Sequence, residues 1–241
     1  MGCASGSFPY ARMPGANVRI VLGRDGSATV SSSAQEMGMG TATVQVQHAG
    51  EVRLVDGGVA AIEDPSRHET YRSILERSGR EALSVTASGS APLEMLKFAM
   101  HSTSAIFCEL RVSEVTGEVR VDRLLGSFDC GTILNPKTAA SQFRGGMIMG
   151  LGMALSEETL LDERSGRIMN PTLADYHIPT HLDVPEIDVI WTGIPDPRSP
   201  LGARGIGEIG TTGVAAAVAN AVFNAVGKRV RDLPITLDAL L

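Results

Sequence analysis

Gly202-Ala-Arg-Gly-Ile-Gly-Glu-Ile-Gly-Thr-Thr-Gly213 runs directly into Val214-Ala-Ala-Ala-Val-Ala-Asn-Ala-Val-Phe-Asn-Ala-Val226. Read from Thr212 to Val226, the second stretch predicts a helix built almost wholly of Ala, Val and Asn, with Gly227 as its C-cap. A helix apolar on every side is expected to be buried. The first stretch is its approach, and a single carboxylate, Glu208, stands there among glycines. Glycines let backbone pass close to a bulky group, and a helix N-terminus offers free N–H donors and partial positive charge. A carboxylate in that place is either a charge partner of the helix end, worth about 0.3–1 kcal/mol, or a working base. Gly205-Ile206-Gly207 is not read as a dinucleotide fingerprint, because no strand-forming run leads into it.

Working outward, Asn135-Pro136 is an N-cap followed by Pro at the first helical position. It predicts a long helix to about Leu161 that carries Gly145, Gly146, Gly150 and Gly152. Each interior glycine costs about 1 kcal/mol relative to Ala, so something is expected to pack on this backbone at short range. Asn17 to Ser33 reads as two strands turned at Gly23-Arg-Asp-Gly26, and Ala105 to Asp129 repeats the design around Glu114-Val-Thr-Gly-Glu118. Asp162 to Arg167 is a further turn and Ile187 to Trp191 a short strand. Gln35-Glu-Met-Gly-Met-Gly-Thr41 is a second glycine cluster, whose successive N–H groups either cradle anionic oxygens or simply turn the chain. From about Gly50 to Pro92 charges rise and periodicity fades, which predicts a linker with one exposed helix near His68 to Arg80. Hairpins with separate long, glycine-rich helices indicate an α+β fold. The expected division is 1–49, a hairpin and Gly-x-Gly-Thr loop; 50–100, a shortened variable linker; and 101–241, a C-terminal region.

Composition narrows the function by exclusion. Hydrophobic residues make up 43% and charged ones 20% of 241 residues, which is a folded chain rather than a disordered one. A net charge of −6 argues against a nucleic-acid or polybasic membrane surface. No run approaches the ~20 apolar residues of a membrane span. Cys3, Cys108 and Cys130 form no CxxC pair and are too few for an iron–sulfur cluster, which takes four thiolates. His177 and His181 have zinc-ligand spacing, but Pro179 between them breaks the helix that such a pair requires. Met1-Gly-Cys-Ala-Ser-Gly6 lacks the Ser or Thr of a myristoylation site, and no signal peptide is read.

Gly205-x-Gly-Glu-x-Gly-x-x-Gly213 and the run through Lys228-Arg-Val-Arg-Asp-Leu-Pro-Ile-Thr236 closely resemble the end of the molybdenum hydroxylase large subunit. This is the xanthine dehydrogenase and aldehyde oxidoreductase family, and the nearest likeness is to its bacterial three-subunit aldehyde oxidoreductases. Further matches run in family order: Val115 to Val121, Asp129-Cys-Gly-Thr-Ile-Leu-Asn-Pro136, Gln142 to Leu155, Asp175-Tyr-His-Ile-Pro179 and Asp183 to Ile187. The resemblance implies a partial molybdopterin-binding domain and, for the whole enzyme, oxidative hydroxylation of an aldehyde or N-heterocycle with water as oxygen source. It makes Glu208 the general base in a buried, glycine-lined site. It makes Gln142 a cofactor hydrogen-bonding partner, and sets Gly38, Met39, Gly40 and Thr41 over the pterin and metal. Gly205, Ile206 and Gly207 become backbone beside the metal, and the glycines from Gly145 to Gly152 press against the pterin. The implied cofactor is molybdenum–molybdopterin in its cytosine dinucleotide form, with the metal held by the pterin dithiolene and by no protein ligand. Iron–sulfur clusters and FAD belong to partner subunits. The implied compartment is the cytoplasm, or the periplasm by export with a partner subunit.

The sequence departs from the family in three places. Met39 stands where the family often has Gln, and a thioether cannot donate the amide's hydrogen bond. Gln47-His-Ala-Gly50 runs almost directly into the Arg53 to Ser90 region, so a Ser-Gly-Gly-Ser/Thr-type segment is expected to be missing. Met1-Gly-Cys-Ala resembles the interior of a family sequence, so a first half is expected to be encoded elsewhere or absent. Three readings stay open: an enzyme part completed by a separately encoded first half, a truncated inactive remnant, and an assembly or binding module.

Overall fold

The computed structural model describes residues 1–10, 17–33, 52–61, 63–88 and 97–241. The chain forms two compact units, one of Met1–Tyr10 with Met100–Leu241 and the other of Ala11–Ala99. The first strand thus joins the C-terminal region rather than the hairpin that comes after it. The fold is α+β, as expected.

In the larger unit, β1 (Gly2–Pro9), β8 (His101–Val112), β9 (Val119–Asp129) and β12 (Glu186–Trp191) form a four-stranded sheet in the order β1-β8-β9-β12. β12 runs parallel to β9, and the other two pairings are antiparallel. Between β9 and β12 in the chain, β10 (Leu161–Asp162) and β11 (Arg167–Ile168) pair as a short antiparallel hairpin around the predicted turn. The predicted β8–β9 hairpin is present, with Gly117 at φ 73° in its turn. Along β8 every second side chain from Ser102 to Leu110 is buried, the period-2 signature of a sheet with one covered face.

Two helices cover that face. The first, α2 (Pro136–Leu155), begins as predicted: Asn135 Oδ1 accepts from the amides of Lys137 (3.1 Å) and Thr138 (3.3 Å), and Pro136 opens the first turn. It stops six residues before Leu161, where the amides of Ser156 and Glu157 both close on the Gly152 carbonyl. The second, α3 (Val214–Val226), ends at Gly227 in the left-handed conformation, as predicted. Its composition is apolar all round, yet only the side bearing Val214, Ala217, Val218, Ala221 and Val222 is buried, and Phe223 is exposed. Burial depends on which side meets the sheet, and composition alone does not set it.

The helices meet through glycine. A Cβ on Gly146 would lie 2.8 Å from both Cα and C of Gly210, and one on Gly150 would lie 2.6 Å from Val214 Cβ. Gly152 is likewise closed in, by Glu157 and Pro179, whereas Gly145 has nothing within 4 Å. Three of the four helix glycines therefore pack on the chain itself, which corrects their reading as a surface pressed against the pterin. Beneath the crossing lie Ile106, Leu124, Phe128, Phe143 and Met147, with the Phe128 and Phe143 rings stacked 4.1 Å apart.

In the smaller unit, β2 (Asn17–Gly23), β3 (Ala28–Ser32) and β7 (Ala82–Ser88) form a sheet in the order β3-β2-β7. β4 (Val52–Val55), β5 (Gly58–Ala61) and β6 (His68–Thr70) form another, continued by α1 (Tyr71–Ser78). The helix was expected, but the strands replace most of the expected linker. At three to seven residues, turned by Asp56-Gly57, they are too short to leave a periodic trace in the sequence.

Gly145 and Gly146 are adjacent and chemically identical, so they separate packing from propensity. Gly146→Ala is expected to destabilise the chain by about 1–3 kcal/mol, because its neighbour is backbone and cannot yield. Gly145→Ala should stabilise it by about 0.5–1 kcal/mol. Urea unfolding of the two variants checks the pair, and equal stabilities would contradict the close crossing.

Candidate functional site

The chain reaches the glycine-rich segment through a tight loop. Asp196 N donates to Gly202 O (2.9 Å), and Gly202 N to Ser199 O (3.0 Å). Inside the loop Leu201 adopts φ 61°, a conformation that costs a non-glycine residue on the order of 1–3 kcal/mol and needs surrounding support. Ala203 then bridges to Gly131, Thr132 N donates to Gly202 O (2.8 Å), and Arg204 N donates to Cys130 O (2.9 Å). The segment is thus stitched to the continuation of β9. No strand leads into Gly205, and α3 starts only at Val214, so the arrangement differs from a dinucleotide-binding strand–turn–helix.

Past this seam, Ser102 Oγ donates to Gly205 O (2.8 Å). Gly205, Gly207 and Glu208 are exposed, and Ile206 is half-buried against the core. Ile209 is buried, and Gly210 seats against α2 at Phe143 and Gly146. The Gly205–Glu208 turn therefore hangs between two fixed points. Gln142, the residue before Phe143, is half-buried on α2 next to the same crossing.

Glu208 lies six residues before the helix, and α3 has no acidic residue in its first turn. The reading of Glu208 as a helix-end charge partner therefore loses its geometry. Its carboxylate makes no hydrogen bond or ion pair among the described residues, and neither does the Gln142 amide. The expected burial of Glu208 is absent, because no side chain of the described residues closes over the turn. Gly38, Met39, Gly40 and Thr41 lie outside the described residues.

The residues present suit a large planar group approached along backbone. Nothing lies within 4 Å of a Cβ position on Gly145 or Gly207, and Gly205 meets only Tyr10 Cβ, at 3.7 Å. Gln142 shares one side of α2 with Gly145, three residues on. Two clefts elsewhere in this unit, of about 390 and 680 Å³, are lined by neither Glu208 nor Gln142. Among the described residues no three His, Cys, Asp or Glu side chains gather as a metal-ligand group, and no helix is long and apolar enough to cross a membrane. His177 and His181 are exposed and lie outside any helix. Burial pushes the Cys108 thiol up to about 12 and the Cys130 thiol up to about 11, which leaves neither as a ready nucleophile.

A model of the molybdopterin cofactor-binding domain matches residues 48–185. The chain belongs to this family, as part of a molybdenum hydroxylase large subunit. The aldehyde oxidoreductase molybdenum-binding subunit of Escherichia coli O157:H7 is 41% identical over 95% of the chain, which spans 33% of that relative. The putative xanthine dehydrogenase molybdenum-binding subunit of Escherichia coli K12 is 42% identical over 54% of the chain and 17% of its own length. The aldehyde oxidoreductase of Desulfovibrio gigas superposes with a TM-score of 0.74 at 20% identity, over 100% of this chain and 32% of that one. Quinoline 2-oxidoreductase from Pseudomonas putida 86 gives 0.75 at 19%, over 99% and 41%. The chain shares its fold with both solved structures, and it spans about a third of the length of the first of these relatives.

Sequence reading missed the ionic cluster beside the turn. Arg204 Nη2 donates to Asp129 Oδ2 (3.0 Å) and Nη1 to His101 O (2.8 Å), while Tyr10 Oη donates to Asp196 Oδ2. Arg204 Nε lies 3.5 Å from Asp196 Oδ2, an ion contact rather than an aligned hydrogen bond. The one available signal was a lone arginine between glycines, since its partners are distant in sequence.

Two outcomes test this geometry. Glu208→Gln should leave stability within about 0.5 kcal/mol of the parent chain in urea unfolding, as for an exposed side chain without partners. Asp196 behaves oppositely, because the Tyr10 hydroxyl holds its carboxyl below the usual value of 3.8. Its contribution is fully present above the unfolded-state pKa and is lost as pH falls through the lowered folded-state value. Asp196→Asn should therefore be less stable at pH 7, with the deficit shrinking below about pH 4. A deficit independent of pH would refute the assignment.

Proposed function

We propose that the chain supplies the general base and part of the cofactor cradle of an aldehyde-oxidising molybdenum hydroxylase, N-heterocycles being the alternative substrate class. The observation that carries this reading is Glu208: an exposed carboxylate, unpartnered among the described residues, on a Gly-Ile-Gly-Glu turn in a chain of the molybdopterin-binding family. Molybdenum–molybdopterin, in its cytosine dinucleotide form, supplies the two-electron redox chemistry when bound. The donor set supports this fit, with open backbone at Gly205 and Gly207 and, among the described residues, an unpaired amide on Gln142.

In this reading Glu208 accepts the proton from the attacking water-derived oxygen at a carboxylate oxygen, so that the nucleophile forms as it attacks. Gln142 donates an amide N–H to the cofactor and orients it. Gly205, Ile206 and Gly207 present backbone at its edge. In this reading cofactor and further protein close over the turn that carries Glu208 and exclude bulk water from it. The part of the family's large subunit that these 241 residues do not span would supply that cover. Iron–sulfur and FAD subunits carry the electrons away, and the complex works in the cytoplasm, or in the periplasm if exported with a partner.

A second reading, a cofactor-binding or assembly module without turnover, draws support from the exposure of Glu208. Expression together with the remainder of the large subunit and the two electron-carrying subunits separates the readings. The enzyme reading expects co-purified molybdenum and aldehyde turnover, with Glu208→Gln keeping the metal and losing about 10²–10⁴-fold in rate. Metal without turnover supports the module, and absence of metal in every combination refutes both.

A further inference from the structure

We propose that Arg204 is the positioning residue for Glu208. Its side chain is only 13% exposed and binds three separate parts of the unit. The guanidinium donates to the Asp129 carboxylate at the end of β9 and to the His101 carbonyl at the start of β8, and it lies beside the Asp196 carboxylate of the preceding loop. Each carboxylate is held in turn. Thr192 Oγ1 donates to Asp129 Oδ1 (2.8 Å), and the Tyr10 hydroxyl, just past β1, donates to Asp196.

This is a costly way to hold a loop. Taking charges out of water is penalised by several kcal/mol per ion, and a well-packed apolar group of the same volume is often no less stable. An ionic cluster adds direction instead: a planar guanidinium with a fixed fork of donors meets its partners at set angles, which a greasy side chain does not.

Direction is needed here because the chain just beyond Arg204 has little stiffness of its own. Between Arg204 and Glu208 lie Gly205 and Gly207, which leave the turn free to take many backbone conformations. No hydrogen bond from the amides of residues 205–208 fixes it among the described residues. The turn is therefore set from its ends: downstream by buried Ile209, the Gly210 crossing and the Thr211 amide, which donates to Glu208 O (3.1 Å), and upstream by Arg204 and the Ser102–Gly205 bond. Arg204 is the charged half of the upstream anchor and stands four residues from the carboxylate.

The inference rests on Glu208 as the base, but its test needs no cofactor, so the two fail separately. The measurement is ¹⁵N relaxation on the 241-residue chain, giving order parameters along the backbone. The parent chain should give values near 0.85 at residues 205–208, typical of rigid backbone. Arg204→Met should lower them below about 0.6 there, while α2 and α3 stay unchanged. Arg204→Lys, which keeps the charge but loses the fork, should recover part of the loss. Should Arg204→Met fail to fold, Asp196→Asn and Tyr10→Phe each remove one support and should produce a smaller drop confined to the same residues. The proposal is overturned by order parameters at 205–208 that do not move in any variant that folds. It is equally overturned by a drop shared with α2 and α3, or by a parent turn that is already mobile.

Discussion

The backbone crossing between α2 and the segment entering α3 is the contact on which the larger unit depends. Gly146, Gly150 and Gly210 let two stretches of main chain approach at a distance that no Cβ would permit. That approach brings Val214, Val218 and Val222 over the sheet beside Phe143 and Met147, and the apolar interior forms around it. Ten aromatic residues (one Trp, three Tyr and six Phe) suffice for 241 because small residues bring the backbones themselves together. The stacked Phe128 and Phe143 rings fill the space that remains between sheet and helix.

The same crossing makes the site possible. It fixes the downstream end of the Gly205–Glu208 turn while leaving the turn itself uncovered. Glycine serves two opposite purposes within a few residues: Gly210 closes a contact and Gly207 keeps a space open. The chain therefore presents a carboxylate at a fixed place without burying it.

Much of this could be read in the sequence, for local reasons. The Ala105–Asp129 hairpin shows in its alternation and turn, the start of α2 in Asn135-Pro136, and the end of α3 in Gly227. Glu208 and Gln142 are candidates through motifs with family-specific spacing. What escaped was non-local. β1 pairs with β8 a hundred residues away, and its Gly-Cys-Ala-Ser-Gly-Ser run has no apolar alternation to announce a strand. Arg204 and Asp129 are 75 positions apart, and Tyr10 and Asp196 are 186 apart, so nothing in either neighbourhood names its partner.

The sequence by itself determined the α+β class, the hairpins, the helix boundaries set by caps, the family and the identity of the candidate base. These depend on short-range backbone preferences and on residue order. Only the tertiary structure decided which glycines close contacts and which leave space, which side of α3 is buried, and that Glu208 is exposed. Those outcomes depend on what lies across from a residue, and partners across a fold are set by packing rather than by neighbours in the chain.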